Sequence, residues 1–207
     1  MHEPDPHAWW VVVPVKGGPS AKSRLRASLD DATLVAAIVH DTLAVATSVV
    51  GSARVVVVTG DAHETEYARA EGHAVVADPG AGIDGACLVG VEHALGHGAL
   101  RVAVLLGDHP ALTPVELTAA LKAGSRHTTC FVPDADGTGT ALLATTAGVA
   151  PEVSFGAGSA ARHEGLGHTR LDLDLPGLRH DVDDEASLAE RAVQRTLGPR
   201  TRHALGR

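Results

Sequence analysis

Aromatic residues are scarce in this chain of 207 residues: Phe, Tyr and Trp together make up 2%. A hydrophobic content of 44% must then come from Val, Leu and Ala, which suits β-strands covered by helices. Lysine is nearly absent, at Lys16, Lys22 and Lys122 only, and the formal net charge is −8. Binding to a nucleic-acid backbone relies on clustered Lys and Arg, so a nucleic-acid partner is excluded. A single small anion held by local cations is not. The two cysteines, Cys87 and Cys130, are too few for a disulfide framework and lack metal-ligand spacing. They read as small buried residues. Residues 1–8 lack the basic start and long apolar run of a signal peptide. The apolar runs are of strand length, so no transmembrane helix is expected, no membrane partner, and a cytoplasmic location.

Several catalytic signatures are missing as well. The segment Ala21-Lys22-Ser23 imitates a P-loop, but Lys16 and Ala21 stand where that pattern requires glycine. There is no Gly-x-Ser-x-Gly elbow and no His-Glu-x-x-His. The thirteen histidines are scattered, and most read as solvated.

What is present alternates. Continuous apolar runs at 9–15, 55–59 and 101–106 predict strands buried on both faces. A shorter strand is expected at 73–77, and others at 129–132, 140–145 and 169–173. Helices are expected at 30–50 (capped by Asp30 or Asp31), 62–71 (stopped by Gly72), 84–95, 114–123, 159–165 and 185–197. Thr113 and Pro114 form a favourable start for the fourth of these. Strand–helix alternation over the first 125 residues implies βαβ crossovers and a mostly parallel sheet. No linker or repeat divides the chain, so it reads as one domain.

Ligands of such sheets sit at the carboxyl ends of the strands. Four segments are expected there. Lys16-Gly17-Gly18-Pro19-Ser20-Ala21-Lys22-Ser23-Arg24 places three cations among small residues and suits a triphosphate, although a solvated basic loop has the same spacing. Asp78-Pro79-Gly80-Ala81-Gly82 continues to Asp84; its glycines let a base lie against the backbone, and plain turn chemistry explains them too. Gly107-Asp108-His109-Pro110 puts a carboxylate at a buried strand end, poised for a hard cation such as Mg2+. His109 reads as a loop residue there. The last segment has two pieces. Phe155-Gly156-Ala157-Gly158-Ser159 reads as an anion nest of backbone N–H groups before a helix. In Asp181-Val182-Asp183-Asp184, an extended backbone turns Asp181 and Asp183 to one side, with Asp184 left as a helix cap.

Five pieces together resemble the guanylyltransferases of coenzyme F420 biosynthesis, which act on phosphoenolpyruvate or 2-phospho-L-lactate. They are Val12-Val13-Pro14-Val15-Lys16 with Ala21-Lys22-Ser23-Arg24-Leu25, Gly107-Asp108-x-Pro110-Ala111-Leu112, Asp136-Gly137-Thr138-Gly139-Thr140, Phe155-Gly156-x-Gly158-Ser159-Ala160-x-Arg162-His163, and Pro176-Gly177-Leu178-Arg179-x-Asp181-Val182-Asp183. They run in order over about residues 10–195.

The resemblance implies an α/β fold: a Rossmann-like nucleotidyltransferase of glycosyltransferase-A type, with a mixed, mostly parallel sheet flanked by helices. Residues 9–197 would form that domain, 1–8 an N-terminal extension and 198–207 a flexible basic tail. It implies transfer of GMP from GTP to a small phosphorylated carboxylic acid, phosphoenolpyruvate being favoured over 2-phospho-L-lactate and 3-phosphoglycerate. The next enzyme of the pathway is a candidate partner for handover of a labile product. Lys16 and Lys22 would act with Asp108 in catalysis. Lys16, Lys22, Arg24, Gly82 and Asp84 would bind the nucleotide, and Thr140, Gly156 and Ser159 the acceptor. Asp108, with Asp181 or Asp183, would carry Mg2+. The chain departs from the family at two places. His109 replaces a Leu or Val, and Ile83-Asp84-Gly85 replaces Leu-Asn-Ala in the nucleotide loop. A sugar- or molybdopterin-type nucleotidyltransferase and a non-catalytic nucleotide-binding protein compete with this reading.

Overall fold

The computed structural model describes residues 8–16 and 32–206. Seven strands form one mixed sheet: β1 (Trp9–Pro14), β2 (Val55–Thr59), β3 (Ala74–Ala77), β4 (Arg101–Leu105), β5 (Thr129–Pro133), β6 (Thr140–Thr145) and β7 (Thr169–Arg170). The spatial order is β3-β2-β1-β4-β6-β5-β7. The first four strands are parallel, and β6 runs antiparallel to both β4 and β5.

The all-valine strands are apolar on both faces because both faces are covered. Side chains alternate along a strand. Val11, Val13, Val55 and Val57 therefore face one layer, with Leu43 and Ala46 of helix Ala32–Val50 and Leu117 and Leu121 of helix Pro114–Gly124. Val12, Val56, Val58, Val102 and Val104 face the other, against Ala86, Cys87, Val91 and Ala94 of helix Gly82–Gly96. The scarcity of aromatics has a geometric counterpart at Gly90. A Cβ there would collide with Val12 Cγ1 and lie 2.8 Å from Val58 Cγ2, so this helix lies directly on β1 and β2.

Helix Ala32–Val50 corrects one expectation. Its stretch Thr33–Val50 is long and apolar enough to cross a membrane, but half of it is buried inside the protein. It also carries two buried polar groups, Asp41 and Thr42, that hold distant segments. The expected caps Asp30 and Asp31 lie outside the described residues.

Two expectations about the C-terminal region are overturned. The single helix expected at 185–197 is two, Glu185–Ala189 and Arg191–Thr196, with Glu190 extended between them. The break lets Leu188, Val193 and Leu197 all reach one apolar cluster with Leu34, Ile38 and Val182. The Gln194 side-chain amide donates to the Leu188 carbonyl at 2.6 Å, satisfying a group that the break releases. The tail expected to be flexible contains helix Pro199–Ala204. Buried Asp41 accepts hydrogen bonds from Arg200 N (3.1 Å), Thr201 N (2.8 Å) and Thr201 Oγ1 (2.7 Å). A carboxylate against free N–H groups at a helix start is favourable, and it pins this segment to helix Ala32–Val50.

The tight seat of Gly90 gives a stability test. Gly90→Ala should overpack the helix–sheet seam by about 1–3 kcal/mol, lowering Tm by roughly 2–10 °C for a chain of this size. Gly96→Ala, in the same helix but facing open space, should leave Tm unchanged or raise it. Calorimetry that finds the two variants alike would contradict this packing.

Candidate active site

The sheet topology gathers the expected site segments at one edge. β1 and β4 pair in parallel, Val12 opposite Val104. Exposed Lys16 follows the carboxyl end of β1, and Asp108 that of β4. Because β6 is antiparallel to β4, its first residue, Thr140, lies at that same edge. The turn after β3 and the start of helix Gly82–Gly96 lie there too. Lys22 and Arg24 lie outside the described residues.

Asp108, Asp181 and Asp183 come together, with a carboxylate oxygen from each lying within 4.8 Å of the others. Asp108 and Asp181 are half-buried and Asp183 is exposed. Between the last two, Val182 is fully buried in the apolar cluster with Leu34 and Ile38. That anchor turns its two neighbours to the opposite side, toward Asp108. The segments are joined through the backbone, since Val182 N–H donates to the Asp108 carbonyl at 2.9 Å. The loop after β4 is stitched further by Gly198 N–H to the Pro110 carbonyl (2.7 Å) and Thr196 Oγ1 to the Ala111 carbonyl (2.8 Å). Three carboxylates this close repel one another, and an oxygen-only donor set of this kind suits a hard divalent cation.

Glu116 is a positioning residue that the sequence reading missed. Its Oε2 accepts from Thr113 N (3.0 Å) and Thr113 Oγ1 (2.7 Å), completing a capping box, while Oε1 accepts from Gly177 N at 2.6 Å. A Cβ on Gly177 would strike the Ala111 carbonyl oxygen. Helix Pro176–Arg179 thus docks on the loop after β4 and delivers Asp181 and Asp183. The Thr-x-x-Glu spacing at 113–116 is a legible capping signal; the second oxygen's partner is not.

His109 lies in the loop after β4, as expected, but it is buried there rather than solvated. It is 1% exposed, its N–H donates to Thr42 Oγ1 (3.2 Å), and its Nε2 lies 3.4 Å from Asp108 Oδ1. Thr42 in turn donates to Ile38 O, so this buried pair ties the Asp108 loop to helix Ala32–Val50. Histidines 73, 163 and 168 are also buried and so are exceptions among side chains expected to be mostly solvated.

The glycine turn at 156–158 forms a second cluster with Thr140 and Ser159. Gly156 (φ +101°) and Gly158 (φ +73°) adopt conformations that favour glycine. Ser159 N–H donates to Gly156 O and Ala160 N–H to Thr138 O. Among the described residues, the N–H groups of 156–158 donate no hydrogen bond and lie in an exposed turn. Arg162 clamps the loop, donating to the carbonyls of Ser154, Phe155 and Ala157 and to Ser154 Oγ. Thr140 and Ser159 sit beneath it, 3.0 Å apart through their hydroxyls.

Asp84 lies in the first turn of its helix rather than in a loop, because Gly82 at φ +78° already starts that helix. Its Oδ1 accepts from Phe155 N at 2.8 Å, across 71 positions of sequence. This bond joins the glycine turn after β3 to the glycine turn at 156–158. Cys87 and Cys130 are buried and free, and burial pushes both thiols up to about 12.

A family model and a curated relative place the chain in one family, and solved structures share its fold. The MobA-like NTP transferase domain matches residues 21–168. The chain is 45% identical to phosphoenolpyruvate guanylyltransferase of Geodermatophilus obscurus, over 96% of its own length and 94% of that protein. Among solved structures it resembles a nucleotidyl transferase from Methanothermobacter thermautotroptrophicus (TM-score 0.60, 20% identity, 96% and 98% of the two chains). It also resembles Rv0371C of Mycobacterium tuberculosis in complex with manganese (TM-score 0.51, 19% identity, 92% and 97%).

Two predictions follow from this geometry. Glu116→Ala removes the capping partner and the Gly177 contact, and should cost about 2 kcal/mol, a fall of roughly 4–8 °C in Tm. An unchanged Tm would show that Glu116 holds nothing. The second concerns pH. Burial, then the charges of His168 and Arg162, lower His163 to about 4 from an ordinary 6.5, with Asp84 acting in the opposite sense. Between those values the unfolded chain binds more protons than the folded one, so stability falls as pH drops through that window. His73 and His93, lowered chiefly by burial, act in the same direction. Tm should therefore fall from pH 7 to pH 5, and a flat or rising Tm would contradict a buried neutral His163.

Proposed function

Since the chain belongs to the MobA-like NTP transferases and, within them, to the phosphoenolpyruvate guanylyltransferases, we infer that the carboxylates of Asp108, Asp181 and Asp183 form its reaction centre. The enzyme transfers GMP from GTP to phosphoenolpyruvate and releases pyrophosphate. A phosphate oxygen of the acceptor attacks the α-phosphorus of GTP, and the bond from that phosphorus to the bridging oxygen of the β-phosphate breaks. Both reactants are anions, so positioning and charge neutralisation carry most of the catalysis.

The observation that carries this reading is the convergence of the three carboxylates beyond the carboxyl end of β4. We assign Asp108, Asp181 and Asp183 to Mg2+; the all-oxygen donor set supports a hard divalent cation. When bound, that ion supplies the positive charge that lets one phosphate approach another. Lys16, with Lys22 and Arg24 of the same motif, holds the triphosphate and steadies the departing pyrophosphate. Gly82 borders the base. Asp84 acts by fastening the two glycine turns to each other, with its second oxygen available to guanine. The N–H groups of residues 156–158, together with Thr140 and Ser159, receive the phosphorylated acid. Two free, buried cysteines fit the reducing cytoplasm, where GTP and phosphoenolpyruvate occur.

One assay tests the acceptor and the centre together. The protein is incubated with GTP, Mg2+ and, separately, phosphoenolpyruvate, 2-phospho-L-lactate or 3-phosphoglycerate, and pyrophosphate is measured. Phosphoenolpyruvate should react fastest. Asp108→Asn, checked for folding, should lose about 10²–10³ in turnover, as expected for removing one charge-stabilising group. Near-normal turnover would remove Asp108 from the centre. Faster reaction with another acid would reassign the acceptor while leaving the centre in place.

A further inference from the structure

The reading above leaves a fully buried imidazole without a task. His163 is 0% exposed, packed between Phe131 and Phe155 with ring centroids 5.7 and 5.3 Å away, and beside His168 at 5.5 Å. Its two nitrogens have different partners. Ser154 N lies 3.0 Å from Nε2. A backbone amide can only donate, so Nε2 accepts and the ring proton of the neutral imidazole sits on Nδ1. From there it donates to Thr140 Oγ1 at 2.9 Å.

The consequence is a count of protons. Thr140 and Ser159 carry one hydroxyl proton each, and one of the two spans the 3.0 Å between their oxygens. The ring is already donating to Thr140, so neither hydroxyl proton can return to it. One O–H is therefore left over for whatever occupies the turn at 156–158. The opposite tautomer reverses this arrangement. Nδ1 would then draw the Thr140 proton, and Thr140 would draw that of Ser159. Only lone pairs would remain, and lone pairs repel an anion.

We propose that His163 is a positioning residue that sets the hydrogen-bond polarity of the acceptor pocket, holding the Thr140–Ser159 pair as a donor to an anionic, phosphorylated acid. The proposal rests on the reading that this pair meets the acceptor. It explains why the imidazole is buried among aromatic rings, where the neutral form is favoured, and why its far nitrogen is anchored on the very loop that carries the N–H groups. The ring thereby links the two sets of donors, hydroxyl and backbone, that face the same ligand.

Two measurements test it. Nitrogen-15 NMR of histidine-labelled protein at pH 7, with the His163 signals assigned from the spectrum of His163→Asn, should show Nδ1 protonated and Nε2 bare. An Nε2–H tautomer or an imidazolium would overturn the proposal, and this readout does not depend on activity. Steady-state kinetics supply the second test. His163→Leu should raise KM for phosphoenolpyruvate about tenfold or more, the loss of a donor to a charged group, with KM for GTP changed less than about twofold. His163→Asn, which keeps an N–H near the position of Nδ1, should recover most of that loss. An equal rise in both KM values, or none, would reduce His163 to packing and overturn the proposal. If His163→Leu fails to fold, the tautomer and His163→Asn decide. Thr140→Val tests the underlying reading separately: an unchanged KM for phosphoenolpyruvate would remove Thr140 from the acceptor pocket whatever the tautomer of His163.

Discussion

The hydrogen bond from Val182 N–H to the Asp108 carbonyl fixes the geometry on which the carboxylate cluster depends. It joins the loop after β4 to an extended segment from the far end of the chain. Neither carboxylate segment is rigid by itself: one is a loop, the other a short extended run between small helices. Burying Val182 in the cluster with Leu34, Ile38 and Leu188 sets the face on which Asp181 and Asp183 emerge. The bonds from Glu116, Thr196 and Gly198 then leave the Asp108 loop little freedom. Three carboxylates are thus gathered by apolar burial and backbone pairing.

The turn at 156–158 is built on a different principle. Its glycines supply the backbone conformations, but four donations from Arg162 and one acceptance by Asp84 hold them. Asp84 ties this turn to the first turn of helix Gly82–Gly96. Buried polar groups such as these are costly unless paired, and the bonds among Thr140, Ser159, His163 and Ser154 pair all of them but one hydroxyl proton.

Much of this was legible in the sequence. The valine runs at β1 and β2 announced strands buried on both faces, because no other environment suits unbroken β-branched segments. Thr113-Pro114 announced a helix start, and the alternation of strands and helices announced parallel crossovers. Asp108, Asp181 and Asp183 were identifiable as candidates because each sits beside a strand end or cap and exceeds what a turn requires. The resemblance to guanylyltransferases rested on motif order, which is also local information. What misled was local inference applied to groups whose partners are remote. The tail at 198–207 looked flexible because its anchor, Asp41, lies in another helix. The bond that Asp84 accepts from Phe155 N–H spans 71 positions, so no local pattern announced it.

The sequence by itself determined which residues could carry chemistry and which segments had to be buried, since periodicity and side-chain type act over a few neighbouring positions. Only the tertiary structure decided which of those residues meet. The apposition of Asp108 with Asp181 and Asp183, the double duty of Glu116 and the tautomer of His163 all depend on hydrogen-bond partners brought close by the sheet order β1-β4-β6 and by burial of Val182. A hydrogen bond is specified by position and direction in space. No pattern along a chain encodes either until the chain has folded.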